Sequence, residues 1–392
     1  MSRLLPAVIG LCAVLAALAP ARGAPSRAPR NLLANPGFEQ VLPGHPWMPA
    51  GWDSSVSGMP TVFFGRDTFM AHGGGYAASV ANVSTILPMA HNWNQSLLIG
   101  PEAWGKDLVL SVWTRNNGVD GRGYIMLQAY RDTVSKMAKV WGIPRQEAAQ
   151  RLNIKMLDDP LIDLGWQRRY FSDDNTDWVR RDLRVFVAPS TDIVFVRCGL
   201  LGTGQVMFDD ASLTLEPARP PDPLPLRTNL IRDPGFEGAG DDWEYGLPPF
   251  ENLVIARDTT VAHSGKASIR MEGGLSSMVQ ARAGVCQVFP NRDFAGKRVR
   301  LSAWVKTDSL QGLAYIKIYC HALDGVHHDP TPRQFSANTD WTLTSMESDV
   351  PPGTYEIWAW VCYNSPAAGR LYYDDVSLEV LGPASKAASG GP

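Results

Sequence analysis

Residues 31–39, NLLANPGFE, occur twice in this chain, and the repetition decides the fold. The stretch returns as NLIRDPGFE at residues 229–237. Each copy is a short apolar run, an Asn/Asp-Pro-Gly turn, an aromatic residue and a carboxylate. Proline fixes φ at the second position of such a turn and glycine tolerates a positive φ after it, so each copy predicts strand, tight turn and strand. Because an internal repeat sets the domain count, the pattern predicts two copies of one domain.

Further blocks repeat in the same order in both halves. Most are short, rich in β-branched or aromatic residues, and bounded by Gly, Pro, Asn or Asp, which predicts an all-β fold of two tandem jelly-roll sandwiches. The matched blocks are 66–68 with 257–259, 71–74 with 262–265, 108–113 with 299–304, 124–127 with 315–318, 176–178 with 339–341 and 208–213 with 373–378.

These matches set the predicted domain limits. The first sandwich covers 31–216 and the second covers 229–381. The Pro-rich segment 217–228 predicts an extended, semi-rigid linker, and the small polar residues of 382–392 predict a disordered tail.

Composition limits the classes of partner. The chain has 392 residues, 45% of them hydrophobic and 19% charged, with a formal net charge of −3, which is typical of a soluble globular protein. Without a basic excess, we do not expect nucleic acid as a partner. An apolar run at 4–19 and the small residues at 21–23 predict a signal peptide, 1–23, cleaved near Gly23. We therefore expect a secreted, extracellular or periplasmic protein with no transmembrane segment.

Four cysteines remain after the predicted cleavage. An exported protein can oxidise them, and Cys320 with Cys362 is the preferred pair because both end strand-like runs. The alternative is that Cys198, Cys286, Cys320 and Cys362 are all buried thiols.

One segment, about 132–166, has no counterpart in the second half. Apolar residues recur there at helical spacing, Gly142 interrupts them and Pro144 restarts a run of helix formers. The pattern predicts two short helices that pack as a lid over one end of the first sandwich. Trp141 and Trp166 either face a ligand or, as we favour, anchor the insertion to the sheet.

Taken together, the repeated motifs resemble carbohydrate-binding modules of the family 4, 9 and 22 type, which are galactose-binding-like jelly rolls. The resemblance covers nearly all of the chain outside the leader, linker, insertion and tail. It implies two antiparallel sheets and a structural calcium ion. Matching carboxylates are Glu39 and Asp209 in the first copy, and Glu237 and Asp374 in the second. The alternative is that these carboxylates accept backbone hydrogen bonds in tight turns.

Strand alternation predicts where a ligand lies. One face of 124–130 is purely apolar and the other mixes rings with polar groups, as a sugar requires. The second copy repeats this division, and by resemblance the mixed face is the concave, glycan-binding sheet. Trp93, with Gln95 and the matching Gln287, is expected to join that face from a neighbouring strand. The predicted ligand-binding residues are Trp93, Tyr124, Gln128, Tyr130, Tyr315, Lys317, Tyr319 and His321.

Most other tryptophans are predicted to be core. Trp358 and Trp360 align with Val194 and Val196, which favours burial between the sheets. The remaining predicted core tryptophans occur in matched places, at Trp52, Trp113, Trp178, Trp243, Trp304 and Trp341.

No catalytic motif is found. The predicted function is a secreted, non-catalytic protein whose two modules bind a poly- or oligosaccharide. One alternative is a structural or adhesive cell-surface protein whose modules bind protein or each other. A second is an enzyme acting on glycosyl bonds, for which carboxylates at 158–159, 163 and 173–174 are candidates. The sequence leaves the glycan, the number of active modules and the oligomeric state open.

Overall fold

The computed structural model describes residues 30–55, 61–84, 90–154, 162–172, 177–238, 242–246, 253–273, 282–328, 333–335 and 338–385. Strands dominate these residues and α-helix is confined to two short segments, so the predicted all-β fold is confirmed. The predicted signal peptide and residues 386–392 of the predicted tail lie outside the described residues.

The first module, residues 30–217, carries the helical insertion. Its helices are α1 (Thr133–Trp141) and α2 (Arg145–Arg151). Its strands are β1 (Val41–Leu42), β2 (His45–Pro49), β3 (Asp53–Ser54), β4 (Val62–Asp67), β5 (Ala77–Asn82), β6 (Ala90–Leu98), β7 (Lys106–Arg131), β8 (Ile162–Phe171), β9 (Val179–Phe186) and β10 (Ile193–Pro217).

The second module, residues 229–385, repeats this architecture. A short 3₁₀ turn, Arg292–Phe294, matches Pro101–Ala103 of the first module. Its strands are β11 (Glu244–Gly246), β12 (Leu253–Asp258), β13 (Ser268–Gly273), β14 (Arg282–Phe289), β15 (Lys297–Ala322), β16 (Gly325–His328), β17 (Arg333–Phe335), β18 (Thr339–Asp349) and β19 (Thr354–Pro383).

Two long antiparallel strands in each module serve two sheets. In the first module, the later half of β7 pairs with β8 and the earlier half of β10 pairs with β6, and β3 completes what we call the front sheet. The other halves pair with β9 and β5, next to β4, and form the back sheet. In the second module β15 and β19 play the same parts. The outward surface of each front sheet is here called the front face.

A separate apolar core lies between the two sheets of each module. The predicted inward faces are confirmed: Ile125 and Leu127 belong to the first core, and Ile316 and Ile318 belong to the second. Trp52 and Trp243 are also core residues, as predicted.

The turn of the repeated motif differs in detail from its prediction. The amide of Phe38 donates to the carbonyl of Asn35 at 3.1 Å, so the tight turn exists. The positive φ angles, however, fall on Asn35 (46°) and Phe38 (56°) and not on Gly37, and the apolar run before the turn is not a regular strand. A bulky residue at positive φ is uncommon. Phe38 is held there because its buried ring packs on Trp52 at 4.9 Å.

The linker contacts both modules. The Arg219 amide donates to Asp107 of the first module at 2.9 Å, and the Leu224 amide donates to Asp293 of the second at 2.9 Å. The second module also extends past the expected limit at residue 381. Its last strand ends at Pro383, and the Ser385 amide donates to Asp349.

The insertion forms the two predicted helices. The Asp132 side chain caps α1 by accepting from the Ser135 amide at 2.8 Å, and Gly142 ends the helix at φ 66°. Lys136 of α1 pairs at 2.6 Å with Asp192, the residue just before β10, and this ion pair joins the helix to the sheet. Trp141 is 37% exposed and its ring lies 5.7 Å from the Arg151 guanidinium of α2, so its anchoring to the sheet stays a prediction. From Ile162 onward, the predicted insertion is instead the edge strand β8.

The four cysteines are buried free thiols, so the preferred disulfide is wrong. Cys320 belongs to the core of the second module, whereas Cys362 pairs in register with Tyr315 and points to the front face. Two thiols on opposite faces of one sheet cannot be bridged without moving the backbone.

Candidate functional site

The repeated motifs meet at one place in each module, here called the clasp. In the first module, the Arg66 guanidinium donates to the carbonyls of Phe38 and Glu39 at 2.8 and 2.7 Å. Arg257 makes the matching bonds to Phe236 and Glu237 at 2.6 and 3.0 Å. The clasp thus holds the opening turn in both modules.

The clasp carboxylates accept backbone N–H groups. Asp209 accepts from the amides of His72 and Gly73 at 2.8 and 3.0 Å, and Glu39 accepts from those of Gly75 and Tyr76 at 2.9 and 3.2 Å. Burial raises the pKa of Asp209 and of Asp374, although these backbone hydrogen bonds oppose the shift. The second clasp repeats the bonds, from His263 and Ser264 to Asp374 and from Lys266 and Ala267 to Glu237.

Glycine is required where the clasp closes. Gly74 and Gly265 have φ angles of 63° and 61°, and a Cβ at either position would lie about 2 Å from the carboxylate of Glu39 or Glu237. The repeated glycine therefore gives the carboxylate access to the backbone.

As arranged, the clasp does not fit calcium, which takes six to eight oxygen ligands. One oxygen of Glu39 and both oxygens of Asp209 already accept N–H groups, and a guanidinium occupies the two carbonyls of the turn. Among the described residues, no group of three or more His, Cys, Asp or Glu side chains is placed to hold a metal ion. Calcium at Glu39, Asp209, Glu237 and Asp374 remains a prediction from the resemblance.

Four tryptophans predicted to be core lie beside the clasp instead, half-exposed on the back sheets. The His72 ring stacks on Trp113 at 3.9 Å, lies edge-on to Trp178 at 5.7 Å and bonds Asp210 at 2.7 Å. His263, Trp304, Trp341 and Asp375 repeat this arrangement. The core prediction fails because Trp113, Trp304 and Trp341 occupy outward positions of their strands and Trp178 directly precedes β9. The histidine of each clasp turn packs on these rings.

The first front face carries a chain of polar side chains. The Asn92 amide donates to the Tyr124 hydroxyl at 3.1 Å. This contact is possible because Gly199, opposite Tyr124, has no side chain, and a Cβ there would lie 2.4 Å from the ring. Burial raises the pKa of Tyr124, so the hydroxyl stays protonated at neutral pH.

The network continues through Arg197, which sequence reasoning missed. Its Nε donates to the Gln128 side-chain oxygen at 2.6 Å and its Nη1 donates to the Asn92 oxygen at 3.3 Å. Its guanidinium also lies 5.3 Å from the Phe195 ring, which in turn meets Tyr130 edge-on at 6.0 Å. Half-exposed rings, an amide and a guanidinium thus share one surface, as predicted for Gln128 and Tyr130.

Trp93 does not join this surface. It is 0% exposed, belongs to the core of the first module and donates its indole N–H to the Ser79 carbonyl at 2.9 Å. Gln95 also lies inward, where its amide oxygen accepts from the Ala34 backbone at 2.8 Å. Gln287 makes the same bond to Arg232 at 3.0 Å. The expectation that these residues line the front face is therefore wrong.

The second front face is built from the predicted β15 residues together with tryptophans of β19. The ammonium of Lys317 donates to the Tyr319 hydroxyl at 2.6 Å and lies 5.4 Å from the Trp360 ring. Trp358 pairs in register with Tyr319. The predicted core position of Trp358 and Trp360 is wrong because the sequence alignment slipped by one residue.

The strand registers show that slip. Tyr124 pairs with Gly199, whereas the matching Tyr315 pairs with Cys362. Trp358 and Trp360 therefore correspond to Phe195 and Arg197 and not to Val194 and Val196. A shift of one residue moves every side chain of a strand to the other face. The correct register would have identified Phe195 and Arg197 from the sequence.

The edge strand β8 of the first module packs against the second front face. Trp166 meets Trp358 edge-on at 5.1 Å, and the Gln167 amide donates to Glu356 at 3.0 Å. The Tyr355 hydroxyl donates to the Leu164 carbonyl at 2.6 Å. Trp358 is only 9% exposed. His321, which lies 3.1 Å from Glu356, is also buried.

A buried ion pair completes this contact. Arg168 of β8 lies 3.5 Å from Glu244 of the second module, and Arg122 donates to the carbonyl of Trp243 at 3.3 Å. Burial raises the pKa of Glu244, although Arg168 opposes the shift. Tyr170, which accepts a hydrogen bond from Arg168, also has its pKa raised by burial.

A polar groove of about 480 Å³ lies on the back sheet of the second module. Its charges are paired within the groove, Lys306 with Asp340 at 2.5 Å and Arg370 with Asp308 at 3.9 Å. The groove therefore offers a ligand fewer unsatisfied groups than the first front face does.

No α-helix among the described residues is both long and apolar enough to cross a membrane.

Comparison with known proteins gives one curated relative and many solved structures. No protein-family profile matches the chain. An uncharacterised HTH-type transcriptional regulator, YbfP of Bacillus subtilis strain 168, is 28% identical over 137 residues, which are 34% of this chain. The chain spans 45% of the length of that relative.

The similar solved structures include modules of the kind that the sequence motifs resemble. The family 22 tandem of Paenibacillus barcinonensis Xyn10C is 11% identical over 92% of this chain and 99% of its own, with a TM-score of 0.32. The C-terminal family 22 module of Clostridium thermocellum Xyn10B is 15% identical over 42% of this chain and 99% of its own, also at 0.32. At these scores the likeness says nothing about the ligand, and the jelly-roll assignment rests on the strand pairing above.

Proposed function

We propose that this chain is a secreted, non-catalytic carbohydrate-binding protein whose principal ligand site is the front face of the first module. The observation that carries the proposal is the network of the half-exposed Gln128 and Arg197 with the buried Asn92, beside the rings of Phe195 and Tyr130.

Sugar chemistry matches this surface. The C–H face of a pyranose stacks on an aromatic ring, while its hydroxyls exchange hydrogen bonds with amides and guanidinium groups. Phe195 and Tyr130 supply rings next to such donors and acceptors. Because the surface lies on paired strands, its groups are positioned before a ligand arrives, which lowers the entropic cost of binding.

The test is affinity electrophoresis of the full chain through gels containing a panel of polysaccharides. Phe195→Ala should weaken binding to the retained polymer by about 1–3 kcal/mol, the scale for losing one aromatic stacking partner. Phe63→Ala is the matched control, since Phe63 is 56% exposed on β4 of the back sheet. Failure of every polysaccharide to retard the chain, or equal loss in both variants, would contradict the proposal.

A second candidate is a structural or adhesive protein whose modules bind each other. The contact of β8 with the second front face favours it, because Trp166, Gln167 and Arg168 cover a surface that a ligand would otherwise reach. Under this alternative the first front face binds no glycan. The same gels distinguish the two candidates.

An enzyme acting on glycosyl bonds is the weakest candidate. Of the carboxylates named for it, residues 158, 159, 173 and 174 lie outside the described residues. The buried carboxylates Glu244 and Glu356 are used in the contact between the modules. Release of reducing ends from a bound polymer would show catalysis.

A further inference from the structure

Among the described residues, no carboxylate forms an ion pair with Arg197. Its hydrogen bonds go to the neutral oxygens of Gln128 and Asn92. A guanidinium has five N–H donors, so with two in use, three are left without an acceptor in the described part of the chain. Asp53, the carboxylate that the register places in the same row, lies on β3 two strands away, about 10 Å at the usual strand spacing. Asp53 acts instead on Lys139: burial lowers the pKa of Lys139, and the Asp53 carboxylate opposes that shift.

Lys317 occupies the matching row of the second module with the same feature. Its ammonium bonds the Tyr319 hydroxyl and lies 4.0 Å from that ring and 5.6 Å from the Tyr315 ring, and no carboxylate among the described residues pairs with it. Each front face therefore has an unpaired cation in its central row. In the first module the cation is Arg197 of β10, and the matching residue of the second module is Trp360. In the second module the cation is Lys317 of β15, and the matching residue of the first module is Met126.

Two arginines of the back sheets have carboxylate partners. Arg184 pairs with Asp107 and Glu216 at 3.0 and 2.6 Å, and Arg298 pairs with Glu347 and Asp349 at 3.0 and 2.9 Å. An unpaired, half-buried cation costs desolvation energy that a carboxylate could offset. Among the described residues no carboxylate pairs with Arg197 or Lys317, so a ligand is a group that can.

From this charge pattern we propose that the polysaccharide bound by the first front face carries carboxylate groups, as in a uronic-acid polymer. This inference rests on the proposed carbohydrate-binding function and specifies its ligand class. The free N–H groups of Arg197 pair with a uronate carboxylate in the bidentate geometry that guanidinium favours, while the sugar ring lies on Phe195. The proposal is confined to the first front face, because β8 packs against Trp358 beside Lys317 on the second.

The experiment compares polygalacturonate with the same polymer after full methyl esterification, which removes the charge and keeps the sugar chain. The full chain is run in affinity gels at 50 and 500 mM NaCl, with dextran sulfate and neutral xylan and glucan as further arms. We expect polygalacturonate to bind at least tenfold more tightly than its ester, and the difference to shrink at high salt because ions screen the charge. Arg197→Gln should remove most of the difference, whereas Arg197→Lys should keep part of it.

Arg180→Gln is the matched control. It makes the same charge change on β9, where Arg180 is exposed and pairs with Asp182 at 3.1 Å. Melting curves verify that each variant is folded. Equal binding of the ester, binding of dextran sulfate alone, or equal losses in the Arg197 and Arg180 variants would overturn the inference. Retention by xylan or glucan without polygalacturonate would overturn it while leaving the proposed function standing, and retention by no polymer would overturn both.

Discussion

The two modules share their clasps almost atom for atom and differ on their front faces. Arg66 and Arg257 hold the same carbonyls, and Asp209 and Asp374 accept from the same turn amides. On the front faces, a polar network around Arg197 stands where the second module has Trp360. The repeated residues therefore maintain the fold, and the residues that differ are the ones to which we assign the proposed ligand site.

The faces also differ in what covers them. The first keeps Phe195, Arg197, Gln128 and Tyr130 half-exposed, while the second has Trp358, Glu356 and His321 buried against or beside β8. One face is available to a ligand, and the other is largely used to join the modules. Four predictions test this contrast, beginning with the largest expected effect.

Removing one partner of the ion pair between modules should cost the most stability. Arg168→Met removes the cation 3.5 Å from the buried Glu244, on which Arg122 also acts, and loss of one partner of a buried pair typically costs about 3–5 kcal/mol. The Arg168→Met/Glu244→Gln double variant should recover much of the loss. Chemical denaturation of the full chain measures both. Arg184→Met, which breaks a half-exposed pair on a back sheet, should cost no more than about 1 kcal/mol, and an equal loss there would refute the special role of Arg168.

The clasps should respond equally in the two modules. Asp209→Ala leaves three backbone amides without their acceptor, and Asp374→Ala does the same in the second module. Both aspartates are 0% exposed. We expect each substitution to lower the free energy of unfolding by about 2–3 kcal/mol, the cost of leaving buried donors unsatisfied. Local hydrogen exchange should assign each loss to its own module. A large difference between the two would show that the clasps are not equivalent.

The second module should be the more sensitive to acid. Although burial opposes it, hydrogen bonds from Thr260 and Val261 and nearby Arg270 hold the pKa of Asp258 below its ordinary value. The pKa of Asp293 is also lowered, against burial, by Lys297 and the Leu224 amide. A lowered pKa contributes stability above the unfolded pKa, near 4, which is lost as the pH falls through the folded pKa.

The clasp carboxyls act in the opposite direction and equally in both modules. Because burial raises the pKa of Asp209 and Asp374, their protonation favours the folded state as the pH falls. Hydrogen exchange between pH 6 and 2.5 should therefore show the strands of 253–273 and 297–349 losing protection before the matching strands of the first module. Simultaneous loss, or earlier loss in the first module, would contradict this assignment.

A chelator should have the smallest effect. Since the clasp oxygens already accept N–H groups and Arg66 occupies the turn carbonyls, excess EDTA should leave the melting temperature unchanged. A melting temperature that falls with EDTA and returns with calcium would show that the clasps rearrange around the ion implied by the family resemblance.

The sequence predicted the repeated framework well, because tight turns and alternating strands depend on local residue types. The duplication, the inward positions Ile125 and Ile316, and the mixed face at Gln128 and Tyr130 could all be predicted in this way. The positions of the tryptophans could not be predicted. Trp93, expected on the front face, is core, and Trp113, expected in the core, is half-exposed. An aromatic ring suits either side of a strand, and only the cross-strand register decides which side it takes.

Contacts between the modules could not be predicted either. Trp166 and Trp358 lie far apart in the sequence, and no local pattern brings them together. The cationic character of the first front face was missed for a related reason. A one-residue error in the alignment of β10 with β19 hid the match between Arg197 and Trp360, because a shift of one residue exchanges the two faces of a strand.

Hydroxyl-radical footprinting of the full chain with and without saturating polygalacturonate tests the contrast between the faces most directly. Tyr130 and Phe195 on the first front face, and Tyr319 and Trp360 on the second, are all half-exposed and therefore report on their own surfaces. We predict that the polymer protects Tyr130 and Phe195 and leaves Tyr319 and Trp360 largely unchanged. Protection of the second pair alone, or of neither, would contradict the assignment of the ligand site to the first front face.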